Sequence, residues 1–247
     1  MARTMSLRQR FEAFLQSLTT YESIDQLLDG RDVQGKRRAD YLFLGRSIIV
    51  EQKTLEDDPA YKIDEFMRKL CEERGIIVGG KVSVQQVFAG QPDGEALNRE
   101  LHYKLTNALD NIFSSADKQT RDTKEIFGIP DAAGILVILN EGAATLDPYD
   151  ISHKVAQMFL KKKENGEPRY PHNCRALIVS EHHQINAGIP TKIFPIIDIF
   201  GSTASQYPHA AEFTAKLQKL WADWNGHPFA ELKDVRPEDM RFKKAEP

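Results

Sequence analysis

The chain has 247 residues, 41% hydrophobic and 28% charged, with a net charge of −3. That supports one large domain or two small ones with a real core, and argues against a uniformly basic nucleic-acid binder, leaving only local clusters such as Lys36-Arg37-Arg38 and Lys161-Lys162-Lys163. There is no apolar run of membrane-spanning length, no apolar signal core in MARTMSLRQRFEAFLQ and no CxxC around Cys71 or Cys174. The expectation is a cytoplasmic protein without membrane partner, zinc site or disulfide framework.

Residues 6–28 read as helix in one or two pieces, with Phe11, Phe14, Leu15 and Leu18 forming an apolar stripe that ends at Asp29-Gly30. Residues 32–54 read as strands, 59–74 as a charged amphipathic helix and 81–88 as a further strand. AGQPDG at 89–94 is a loop by composition. Leu97, Leu101, Leu105, Leu109 and Ile112 mark a long helix. Ser114-Ser115 suits a cap for a second one over 116–127, stopped by Gly128 and Pro130. GILVILN at 134–140 is a buried strand by its continuous apolar run. Asp147-Pro148 opens a helix with Ile151, Val155 and Phe159 facing inward. RALIVSE at 175–181 and FPIIDIF at 194–200 are strands, the latter near an edge because of Pro195. Phe213, Leu217, Leu220, Trp221 and Trp224 give a closing helix over 209–224 its apolar face. This order predicts one α/β domain over 1–247 with a mixed sheet flanked by helices.

The stretch GKRRADYLFLGRSIIVEQKTL, 35–55, carries the chemistry. Taken as a hairpin with a two-residue Gly45-Arg46 turn of type II′, it pairs Leu42 with Ile49, Tyr41 with Val50 and Asp40 with Glu51. Directly paired residues share a face, with Cβ atoms roughly 4.5–5.5 Å apart, and two facing carboxylates repel. Lys53 projects on the same face as Glu51, while Gln52 points away but keeps its carbonyl within reach. Two carboxylates and a carbonyl are the hard oxygen ligands Mg²⁺ takes, leaving places for water and phosphate. A neighbouring lysine suits orienting a water for phosphodiester hydrolysis. The bland alternative is a same-face Glu–Lys ion pair on a solvated strand.

Asp40, then Glu51-Gln52-Lys53 after an apolar strand, set between a helix and a helix-then-strand, resembles the PD-(D/E)xK nuclease superfamily. The similarity spans roughly residues 6–140, and Ala39 stands where that pattern usually has proline. The resemblance implies the restriction-endonuclease-like fold, with residues 56–96 a helical insertion before the core helix and 205–247 a C-terminal helix and tail. It implies Asp40, Glu51 and the Gln52 carbonyl as ligands of Mg²⁺, which Mn²⁺ replaces in some reactions, with Lys53 positioning the water. Many members add a glutamate from the first helix. Glu12 and Glu22 are the candidates, and Glu12 is preferred because a strand over 31–38 would bring the start of that helix to the acids. Lys118 and Gln119, read as the first turn of the core helix, and Arg38 are expected contacts to DNA or metal-bound water. The expected activity is a Mg²⁺-dependent deoxyribonuclease, endonuclease rather than exonuclease, in restriction, defence or repair. A homodimer is compatible with it.

Two rivals stay open: a catalytically inactive nucleic-acid-binding or assembly protein of the same fold, and an enzyme on RNA or branched DNA. Other features are read as structural. Adjacent His182 and His183 point to opposite faces of a strand end, Lys161 to Lys163 suit a helix C-terminus, and Trp221 and Trp224 suit the core.

Overall fold

Apolar alternation over residues 41–55 builds the centre of the sheet. A computed structural model describes residues 5–30, 33, 35–77, 79–80, 82–185, 194–231 and 242–244. In chain order the elements are α1 (Leu7–Gln16), β1 (Glu22–Ser23), α2 (Ile24–Leu27), β2 (Tyr41–Phe43), β3 (Ile48–Leu55), α3 (Tyr61–Arg74), α4 (Val84–Ala89), α5 (Gly94–Phe127), β4 (Ala133–Asn140), α6 (Pro148–Leu160), β5 (Asn173–Ser180), β6 (His183–Ile185), β7 (Ile196–Phe200), α7 (Pro208–Trp224) and β8 (Phe242–Lys244). A six-stranded mixed sheet runs in the order β1-β2-β3-β4-β5-β7, and β6 pairs with β8 separately. β3, β4 and β5 are parallel, whereas β1, β2 and β7 attach antiparallel. β7 is an edge strand, as Pro195 suggested. Among the described residues, no helix is long and apolar enough to cross a membrane.

The period of two along each strand divides the core. Phe43, Val50, Ile135, Val137 and Leu177 face α1 and α7, whose Phe11, Phe14, Leu217 and Trp221 cover them. Leu136, Ile138, Ala176 and Ile178 face Leu109 and Phe113 of α5 and Val155 and Met158 of α6. Leu42 and Ile49 take the same side, packed with Ile24 of α2 and the C-terminal residues of α5. α3 and α4 have a small core of their own, Leu70, Val87 and Phe88 against Leu97 and Leu101.

Several expectations change. The helix over 6–28 is α1 and α2 separated by β1, and β1 takes the place beside β2 that a strand over 31–38 was to fill. Residues 33 and 35–38 are not strand, while 31, 32 and 34 lie outside the described residues. The strand over 81–88 is α4: Ser83 caps it reciprocally with Gln86, and Val84, Val87 and Phe88 pack at helical spacing. The β-branched residues suggested a strand, but contact with α5 overrides that propensity. Residues 94–127 form one helix, 34 residues long, with no break at Ser114-Ser115, and it stops at Gly128 with φ 63°. Mid-helix, Ser115 finds a side-chain partner, so its capping propensity is not used.

Candidate active site

The hairpin register is the one read from the sequence, with Tyr41 opposite Val50, Leu42 opposite Ile49 and Phe43 opposite Ile48. The turn differs. Gly45 and Arg46 have φ of 61° and 71°, and positive φ at both central positions belongs to type I′, not II′. β2 begins at Tyr41 while β3 continues to Leu55, held on its other side by β4. Glu51, Gln52 and Lys53 therefore lie within a strand, beyond the point where β2 starts.

Asp40 fills the gap this leaves. Its backbone N–H donates to the Val50 carbonyl at 3.2 Å, and its Oδ2 accepts the Gln52 N–H at 2.7 Å. A strand residue sends its N–H and C=O toward the same neighbour, so the Gln52 carbonyl also faces this edge. Glu51 is 1% exposed. Its Oε1 meets the Lys53 ammonium at 2.6 Å, and its Oε2 has no hydrogen-bond partner among the described residues. Burial, and then the charge of Asp40, push the Glu51 carboxyl up to about 8 against the pull of Lys53. Burial raises Asp40 as well, opposed by the Gln52 N–H and Lys53. Two buried acids side by side, both raised and sharing the Lys53 ammonium, are an arrangement that a bound cation would relieve.

α5 supplies the other wall. Lys53 Nζ donates to Gln119 Oε1 at 2.9 Å, Ser115 Oγ donates to the same oxygen at 3.1 Å, and Gln119 Nε2 donates to the Arg38 carbonyl at 2.8 Å. Thr123 Oγ1 accepts the Ala39 N–H at 2.8 Å, and Asp122 accepts the Arg37 N–H at 3.2 Å. Ser115, Gln119 and Thr123, four residues apart, form one polar stripe on the helix. It holds Lys53 at one end and the segment leading into Asp40 at the other. The sequence does not single out Ser115 and Thr123, because 114–125 is polar almost throughout and an i, i+4, i+8 spacing has no apolar background to stand against.

The structure thus brings together Asp40, Glu51, Gln52, Lys53 and Gln119. Gln119 and Lys118 lie deep in α5, not in a first turn, so no free helix N–H groups stand behind them. Lys118 is exposed. The Arg38 guanidinium pairs with Asp25 at 2.6 Å. Glu12 sits on α1, the layer covering the sheet face opposite Glu51 and Lys53, and pairs with Arg8 at 2.9 Å. Glu22 lies in β1 and pairs with Arg46 at 2.9 Å. His182 meets the Glu141 carbonyl and buried His183 approaches Ser180. Trp221 is core, but Trp224 is 49% exposed. Among the described residues no three His, Cys, Asp or Glu side chains cluster as a metal site; the candidate ligand set here is two carboxylates and a backbone carbonyl. No family model, curated protein or solved structure matches the chain.

Proposed function

We propose that the chain is a metal-dependent nuclease of the restriction-endonuclease-like fold, hydrolysing phosphodiester bonds in DNA. The observation that carries this reading is Glu51, buried against the likewise raised Asp40, with the Lys53 ammonium 2.6 Å from one of its oxygens. Asp40, Glu51 and the Gln52 carbonyl fit a hard divalent cation, Mg²⁺ or Mn²⁺. When bound, such a cation supplies charge neutralisation at the phosphoryl oxygens and makes water more acidic. Lys53 holds its ammonium on the same face as the acids, where it can orient the attacking water and stabilise negative charge on phosphorus. Gln119 fixes that ammonium in place and ties it to the Arg38 carbonyl.

The test is cleavage of supercoiled, linear, single-stranded and branched DNA and of RNA with Mg²⁺ or Mn²⁺, alongside EDTA controls and Lys53→Ala protein. Metal-dependent cutting that disappears in the variant supports the reading and names the substrate. Cutting that survives Lys53→Ala places the activity elsewhere. A folded protein that binds nucleic acid and cuts none is the inactive binding protein instead.

A further inference from the structure

The segment that leads into Asp40 lies along α5. Arg37 and Ala39 donate backbone N–H groups to Asp122 and Thr123, and Lys36 pairs with Glu125 at 3.0 Å. This places Lys36, Arg37 and Arg38 beside the helix face that carries Lys118 and, one turn on, Arg121 and Asp122. Across the same helix runs the turn after α6. Lys161 reaches Asp110 at 2.9 Å, and the His172 N–H donates to Asp117 at 2.8 Å. Lys162 bridges to Pro168, folding 161–169 back on itself. Burial holds His172 below its ordinary value; Asp117 opposes this, while the charges of Lys124, Arg121 and Lys163 add to it. The two basic clusters noted in the sequence therefore lie on either side of one helix.

Several cations here are already engaged. Lys36 has Glu125, Arg38 has Asp25, and Arg121 has Asp122 at 2.7 Å. Among the described residues Arg37 and Lys118 have no ion-pair partner, and Lys163 meets only the exposed Glu167 at 3.5 Å. Exposed pairs of that kind contribute little and are readily exchanged for a phosphate. The positive surplus is thus carried by Arg37 and Lys118 on one side of α5 and by Lys163, with the exposed Lys162 and Arg169 beside it, on the other, in a molecule whose net charge is −3. Such a local strip suits a linear polyanion. Its inner end adjoins the site, because Gln119 joins the Arg38 carbonyl to Lys53.

We propose that Arg37, Lys118 and Lys163 form a binding strip for the nucleic-acid backbone beyond the scissile phosphate, carrying the strand from the acids across α5 to the 161–169 turn. This rests on the nuclease reading and adds the path of the substrate. The strip touches phosphates and not bases, so it binds without sequence preference.

The experiment measures binding of a short fluorescent DNA duplex, the matching single strand and the matching RNA by anisotropy in EDTA across a salt titration. The proteins are wild type, Arg37→Ala/Lys118→Ala/Lys163→Ala, and Lys216→Ala/Lys219→Ala as a control on exposed α7 lysines over the other sheet face. The expected result is a loss of tenfold or more in affinity for the triple variant, with the log–log salt slope shallower by ~2–3 and the control unchanged. A triple variant that binds like wild type, or a control that loses as much, overturns the strip. Cleavage separates the two ideas. Normal cutting and KM in the triple variant remove the strip and keep the nuclease. Strip-dependent binding with no metal-dependent cutting by wild type keeps the strip and removes the nuclease.

Discussion

Glu51 is an acid in a place where an ionised acid is costly. In the unfolded chain it ionises near 4.5; in the fold burial and Asp40 move it to about 8. Between those values the folded form keeps a proton that the unfolded chain has lost, so stability must fall as pH rises through that window, and the cost is complete above it. Metal-free protein is therefore expected to melt at progressively lower temperature from pH 5 to above pH 8 in thermal scans. Glu51→Gln should remove much of that dependence and melt higher than wild type at the alkaline end. Adding Mg²⁺ should raise the melting temperature of wild type and leave Glu51→Gln unmoved, since a ligand stabilises only a fold that binds it. Lys53→Ala is expected to lower the cleavage rate ~10²-fold or more. Gln119→Leu, which leaves the ammonium with Glu51 but removes its anchor on α5, should cost ~10-fold, split toward kcat and not KM.

α5 is the element that turns a strand motif into a site. It can approach because β4 presents Gly134 beneath it: a Cβ there would stand 2.3 Å from the His172 carbonyl, 2.6 Å from Thr120 Cγ2 and 2.7 Å from Asn173 Oδ1. Gly134→Ala is expected to destabilise the protein by ~1–3 kcal/mol, read as a lower urea midpoint, and to weaken cleavage by displacing Gln119. Thr123→Val removes the acceptor for the Ala39 N–H and leaves that buried donor unpaired, at ~1–3 kcal/mol in the same measurement. The hairpin was legible from sequence because its register depends on local alternation and a short turn. α4 and the unbroken α5 were not. In both, packing against a distant helix or sheet overrides the strand propensity of Val84 and Val87 and the capping propensity of Ser115.

At the scale of the molecule, the sheet has one helical layer on each face, and the site lies under α5 and not under α1. That explains why Glu12 remains with Arg8: the sheet lies between its helix and the acids. The two-residue β1, at the position expected of a longer strand, brings Glu22 to Arg46 at the hairpin turn.

The sequence by itself determined the α/β order, the pairing of Tyr41 with Val50 and the placing of Asp40, Glu51 and Lys53 on one side of a hairpin. Strand alternation and turn length are local constraints, readable within about twenty residues. Only the tertiary structure decided that β3 runs on past β2 and leaves Asp40 to take the Gln52 N–H. It alone set Ser115, Gln119 and Thr123 against that edge and buried Glu51 beside Asp40. Those outcomes depend on parallel pairing with β4 and on the approach of a helix more than sixty residues away, and loop closure over such a distance leaves no periodic trace in the chain.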